Sequence, residues 1–268
     1  MKLSISNIAW DKSNNDAVYA LMQKYGYSGL EIAPTKIILE QPYSHVADAI
    51  VWKKDLHSKY GFFVSSLQSI WYGRNEKLFG TDADRKELLD YTKSAIDFAS
   101  AIGCNNLVFG CPKNRAFPEN TSIQEKNQLA ESVAVPFFRG LGEYAAEKNT
   151  CIGMEANPEI YGTNFVTTTE QAIEFIRCVD SIGFKLNLDV GTMIQNDELV
   201  SILHGNEDVI NHVHISEPYL RKIQKHQLHK ELMNFLKSRE YDGYISIEMS
   251  LQNSIEDLEE VFKYLSEL

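Results

Sequence analysis

Three observations predict a single (β/α)8 TIM barrel over residues 1–268, in the α/β class. A helix–glycine–strand phrase repeats along the chain, eight strand starts alternate with eight helical segments, and four late strands end in metal-binding side chains. In the repeated phrase a helix closes on a small or aromatic residue plus glycine, and an apolar strand follows within a few positions. It occurs at residues 24–32, 59–65, 101–109, 181–188 and 241–247. Glycine after a helix supplies the left-handed residue that caps its C-terminus. Junctions written this way are the signature of parallel βα units.

Strands begin near Leu3, Leu30, Phe62, Leu107, Ile152, Leu186, Val213 and Ile245. Apolar residues at helical spacing predict helices over 17–25, 46–60, 83–102, 125–148, 170–179, 198–203, 229–239 and 255–265. Thr81, Thr169 and Ser254 stand where N-terminal caps belong. At about 33 residues per unit, eight alternating units fit a closed barrel better than an open doubly wound sheet. No low-complexity stretch or linker divides them.

The formal charge of −11 argues against sequence-independent nucleic-acid binding, which needs a basic footprint. No apolar run approaches a membrane span, and the N-terminus lacks the long apolar stretch of a signal peptide, so neither a membrane nor a nucleic acid is expected as partner. The four cysteines, Cys104, Cys111, Cys151 and Cys178, show no Cys-x-x-Cys spacing. Reduced thiols in a cytoplasmic protein are the expectation.

The chemistry lies in the second half. The segments 151–155, 184–189, 212–214 and 244–248 each pair an apolar face with a polar one, because strand side chains alternate. Ile245 and Ile247 oppose Tyr244, Ser246 and Glu248; Leu186 and Leu188 oppose Asn187 and Asp189; Met154 opposes Glu155; Val213 opposes His212 and His214. Side by side in a barrel, these strands bring Glu155, Asp189, His214 and Glu248 to the C-terminal rim, where such barrels hold their active sites. Three carboxylates and an imidazole suit one hard or borderline divalent ion: Mn²⁺, Mg²⁺ or Co²⁺, with Zn²⁺ also admissible. Two coordination positions would remain for substrate oxygens. His212 shares the inner face and is expected to support the ligands rather than add a fifth.

At these residues the chain resembles the xylose-isomerase-like barrel superfamily, in its sugar (phosphate) isomerase/epimerase branch and near the ketose 3-epimerases. The likeness spans the whole chain and rests on the ordered quartet Glu155, Asp189, His214, Glu248, with Gly29-Leu30-Glu31-Ile32 as a weaker phrase. The resemblance implies that Glu155 and Glu248 both bind the metal and move protons. Chelation of a carbonyl and its neighbouring hydroxyl would offset the charge of an enediolate. One glutamate would remove the proton and the other return one to the opposite face. The implied activity is isomerisation or epimerisation of a sugar or sugar derivative. A homodimer or homotetramer is the expected assembly.

Two positions depart from the ketose epimerases. Thr192 stands where they carry a histidine, and Leu220 where they carry a substrate-contacting arginine, with Arg221 one step later. Lys113 and Arg115 follow the fourth strand and suggest an acidic or phosphorylated substrate, since arginine grips such groups through two parallel hydrogen bonds. Gln68 after the third strand and Glu217 after the seventh complete the candidate substrate contacts, with Trp71 and Tyr72 as stacking surfaces or core. Three other readings stay open at this point. A lyase that dehydrates a cyclic hydroxyketone would use the same metal core. A non-catalytic sugar-binding barrel would not need two opposed bases. An endonuclease would need additional histidines at the earlier strand ends.

Overall fold

Eight parallel strands pair in chain order and the eighth returns to the first, which closes the sheet. The computed structural model describes all 268 residues. The strands are β1 (Lys2–Ser6), β2 (Gly29–Ile32), β3 (Phe63–Leu67), β4 (Leu107–Phe109), β5 (Ile152–Met154), β6 (Phe184–Asp189), β7 (Ile210–Ser216) and β8 (Tyr244–Glu248). Around them lie α1 (Asn15–Lys24), α2 (Pro34–Ile37), α3 (Val46–Tyr60), α4 (Asp82–Ala101), α5 (Ile123–Leu129), α6 (Val135–Glu147), α7 (Thr169–Val179), α8 (Val190–Gln195), α9 (Gln227–Ser238) and α10 (Ile255–Ser266). None of these helices is long and apolar enough to cross a membrane.

Local chemistry explains the boundaries. Thr81 and Asp84 form a reciprocal capping box at the start of α4, and Ser254 accepts from the Asp257 amide at the start of α10. Thr168, one residue before the expected cap, caps α7 by accepting from the Gln171 amide. The helix expected over 125–148 is three pieces: α5, a π-turn at Ala130–Ala134, and α6. Pro136 has no amide proton and its ring crowds the carbonyl four residues back, so a regular helix cannot run through. The helix expected at 198–203 is only a short 3-10 turn, Val200–Leu203, and α8 precedes it because Asp189 caps that helix itself.

Gly26, Gly61 and Gly103 take the left-handed conformation expected of helix caps. Gly183 does not: Asp180 supplies the left-handed residue that ends α7. A Cβ on Gly183 would fall 2.1 Å from the Gly142 carbonyl of α6, so this glycine admits the helix to the strand.

The aliphatic and aromatic core fills the layer between strands and helices, where Phe109, Phe138, Phe175 and Phe184 meet edge to face or tilted. The inside of the barrel is polar. Ser4 meets Ser65 at 2.6 Å, and Asn106 links Ser66 at 2.9 Å to Asn211 at 2.7 Å. Two bulges make this possible. The register slips between Leu30 and Glu31 opposite β3, and between Leu186 and Asn187 opposite β7. Each adds a residue to one strand, so Ser65 with Ser66, and Asn211 with His212, all contribute polar atoms to the buried network.

Candidate active site

Strand register sets the heights of the candidate ligands. Asp189 ends β6 level with His214, while Glu248 ends β8 level with Ser216. His214 therefore lies inside β7, two residues before its end and level with Asp189. Glu155 is the first residue after β5. Ligand atoms of Glu155, Asp189, His214 and Glu248 all lie within 4.8 Å of one another.

Two of the three carboxylates, Asp189 and Glu155, are held from outside the cluster. Asp189 accepts from the Thr192 amide at 2.6 Å and the Ser216 hydroxyl at 2.5 Å. Glu155 accepts from Asn157 on Oε1 at 2.7 Å and from Asn187 on Oε2 at 3.0 Å. Glu155 Oε2 and Glu248 Oε2 each approach His214 Nδ1 to 3.2 Å. Burial, aided by the Glu155 charge, pushes Asp189 up to about 6. Burial pushes Glu248 up to about 7 despite the nearby His214. Asp189 and Glu248 thus resist carrying their charges together unless a cation joins them.

Beneath them sits Glu31, wholly buried inside β2, with Oε2 3.1 Å from His212 Nε2 and 2.8 Å from His214 Nε2. Burial alone would raise its pKa, but the two imidazoles hold it down at about 2. Burial favours neutral His214, yet Glu31 and Glu248 raise it well above its ordinary value. His212 is lowered by burial. With His214 Nε2–H donated to Glu31, Nδ1 points its remaining valence at the carboxylates. It has no well-angled hydrogen-bond partner although fully buried. This is how ligating histidines are normally held, with the far nitrogen donated to a carboxylate. The residues thus fit a divalent cation. Glu31 is the member that the strand-end pattern does not reveal; the signal for it is a lone acid inside an apolar four-residue strand, which demands a buried partner.

The expected substrate contacts have the following partners. Gln68 is buried and donates to the Ser6 hydroxyl. Trp71 is core, donating to Thr92 at 2.7 Å and meeting Phe109 edge to face, while Tyr72 is exposed. Glu217 is committed to its own loop, accepting from the Gln224 amide and pairing with His226, both at 2.8 Å. Arg221 is exposed and donates to the Pro218 carbonyl. Lys113 is exposed, whereas Arg115 is 0% exposed and no rim cation at all. Its guanidinium donates to Asn157 Oδ1 at 2.9 Å and to the Val166 carbonyl at 3.2 Å. Thr192 donates to the Ala156 carbonyl at 2.8 Å, and the Leu220 carbonyl receives the Ser250 amide at 2.7 Å, so both tie rim loops together.

An aromatic pair that the sequence reading did not single out borders the cluster. Tyr161 accepts the Tyr219 amide at 2.6 Å, and their rings lie 6.0 Å apart. Burial pushes the Tyr161 phenol up to about 12, and the charges of Asp189, Glu155 and Glu248 add to it. Tyr219 and Leu220 both have positive φ, so the chain turns sharply as it leaves β7.

The closed barrel has counterparts among solved structures. The 3-keto-D-glucoside 4-epimerase of E. coli superposes with a TM-score of 0.78 at 18% identity, covering 100% of this chain and 99% of that one. The D-psicose 3-epimerase of Clostridium cellulolyticum, solved with D-tagatose, gives 0.77 at 15% identity and 99% of both chains. The D-allulose 3-epimerase of Methylomonas sp. gives 0.74 at 20% identity, with 100% and 97% covered. At these identities the likeness is one of fold. Comparison with curated proteins finds no match. The family model for the xylose isomerase-like TIM barrel matches residues 19–268, nearly the whole barrel from α1 through α10, and on that match the chain belongs to this family.

Proposed function

We propose that the protein is a divalent-metal-dependent isomerase or epimerase of a sugar or sugar derivative. One observation carries this reading: Glu155 and Glu248, from strands three apart, converge on the same His214 nitrogen at 3.2 Å each. Two carboxylates facing one another across a mouth can serve opposite faces of a bound carbon, which binding alone does not require. The three superposed enzymes named above act as epimerases, and that supports the same class of chemistry here.

Glu155, Asp189, His214 and Glu248 would hold the ion, which supplies positive charge against the charge that develops beside the departing proton. One of Glu155 and Glu248 removes the proton next to the carbonyl. The other returns a proton to the opposite face, inverting the centre, or to the neighbouring carbon, moving the carbonyl. Asn157 and Asn187 fix the Glu155 carboxylate, and Thr192 with Ser216 fixes Asp189. Tyr161 and Tyr219 border the mouth and can cover a sugar ring.

Mn²⁺-loaded protein should be incubated with D-tagatose, D-psicose, a 3-keto-D-glucoside and sugar phosphates, with products separated by chromatography. Conversion to an isomer or epimer that chelator abolishes supports the reading. A dehydrated product, or turnover indifferent to chelator, sinks it.

A further inference from the structure

Arg115 is among the largest fully buried side chains in the protein. Its hydrogen bonds go to Asn157 and the Val166 carbonyl, and one further contact is with the Met154 sulfur at 3.8 Å. No carboxylate pairs with it directly, and its Nε has no partner. A buried cation without a counter-ion costs stability, so packing alone does not account for this residue.

The charge is connected to an acid through one intermediary. Arg115 donates to Asn157 Oδ1, which fixes the amide so that its Nδ2 donates to Glu155 Oε1 at 2.7 Å. The backbone reinforces the chain. The Val166 carbonyl accepts from both the Arg115 guanidinium and the Asn157 amide, each at 3.2 Å. Val166 reaches this position with φ of 56°, a left-handed conformation that a β-branched residue adopts only under constraint. At the end of β4, Gly110 leaves the room. A Cβ there would lie 2.9 Å from Glu155 Oε1 and 3.1 Å from Asn157 Oδ1.

The two oxygens of Glu155 consequently face different surroundings. Oε1 is turned toward Asn157, whereas Oε2 is the oxygen near His214. We propose that Arg115 and Asn157 are positioning residues that restrict Glu155 to presenting a single oxygen, Oε2, to the metal, leaving Oε1 held apart for proton transfer. The proposal rests on the metal site argued above. It also explains why an arginine close in sequence to the exposed Lys113 is withdrawn from solvent.

Co²⁺ is a suitable probe, because its visible absorption follows its coordination geometry, which changes when a carboxylate passes from one to two bound oxygens. Wild type, N157A, R115M and R115K would be titrated with Co²⁺ after thermal unfolding confirms that each is folded. Wild type should bind one equivalent. N157A should alter the visible spectrum and change Co²⁺ affinity by about 10- to 100-fold, the usual effect of removing a group that orients a ligand. R115M should behave alike, R115K should recover part of the wild-type spectrum, and the R115M/N157A double variant should match N157A, because the residues act in series. If R115M does not fold, N157A and N157S still decide the matter. Wild-type spectrum and affinity in N157A would overturn the clamp while leaving the metal site standing. Failure of wild type to bind Co²⁺ would overturn the site itself, and the clamp with it.

Discussion

Glu31 Oε2 lies 2.8 Å from His214 Nε2, while the opposite nitrogen of the same ring faces Glu155 and Glu248 at 3.2 Å. The imidazole thus stands between a buried carboxylate below and the proposed metal site above. Glu31→Gln removes the charge that orients the ring and makes it a better donor. Metal affinity should fall by about 10- to 100-fold, as measured by titration with Mn²⁺ or Co²⁺. Unchanged affinity would detach Glu31 from the site.

Stability of the metal-free protein should depend on pH in a particular sense. Asp189 and Glu248, held at about 6 and about 7, keep protons that the unfolded chain has already released. Folding is therefore penalised as pH rises from the ordinary carboxylate range through 7. His214 acts in the same direction: its raised pKa gives stability that is full below its ordinary value and lost as pH climbs through the folded one. Glu31, depressed to about 2, stabilises above its ordinary value, and that stability is lost as pH falls toward 2. Metal-free Tm should thus peak at about pH 5 and decline toward pH 8. Mn²⁺ should restore Tm at pH 8 and release protons on binding at pH 6.5. A metal-free Tm that rises steadily to pH 8 would contradict these assignments.

Two glycine substitutions should separate site from scaffold. Gly110→Ala places a Cβ 2.9 Å from Glu155 Oε1 and should lower metal affinity and turnover with little change in Tm. Gly183→Ala drives a Cβ against the Gly142 carbonyl and should cost about 1–3 kcal/mol in denaturant unfolding. If both act only on stability, Gly110 has no part in the site.

Glu155→Gln and Glu248→Gln should each lower turnover by about 10²–10⁴ at saturating metal, the usual loss for a positioned acid or base. Near-native rates in Glu248→Gln, followed on whichever sugar proves to be converted, would remove that residue from the mechanism.

The barrel was legible because its cues are local. Period-two alternation in 244–248, the cap at Thr81 and the glycine at 61 each act within a few residues. The quartet was legible for the same reason, as each member stands at or near a strand end. Glu31 was not, because its partners lie 181 and 183 positions away and the strand around it is apolar. The bulges beside Glu31 and Asn187 were equally hidden, since a one-residue slip leaves no mark in composition. Arg115 misleads most: within a Lys-Asn-Arg run it reads as a rim cation for an anionic substrate, and only the strained turn at Val166 and the space at Gly110 show why it turns inward.

Proton transfer at a sugar carbon is tested most directly by solvent exchange. Mn²⁺-loaded protein would be incubated in deuterated water with the candidate sugars, and each carbon position followed by NMR and mass spectrometry. The account predicts deuterium at one carbon beside the carbonyl, abolished by chelator and in the Glu155→Gln, Glu248→Gln double variant. Conversion of a sugar without any deuterium incorporation, or incorporation that persists in the double variant, would contradict it.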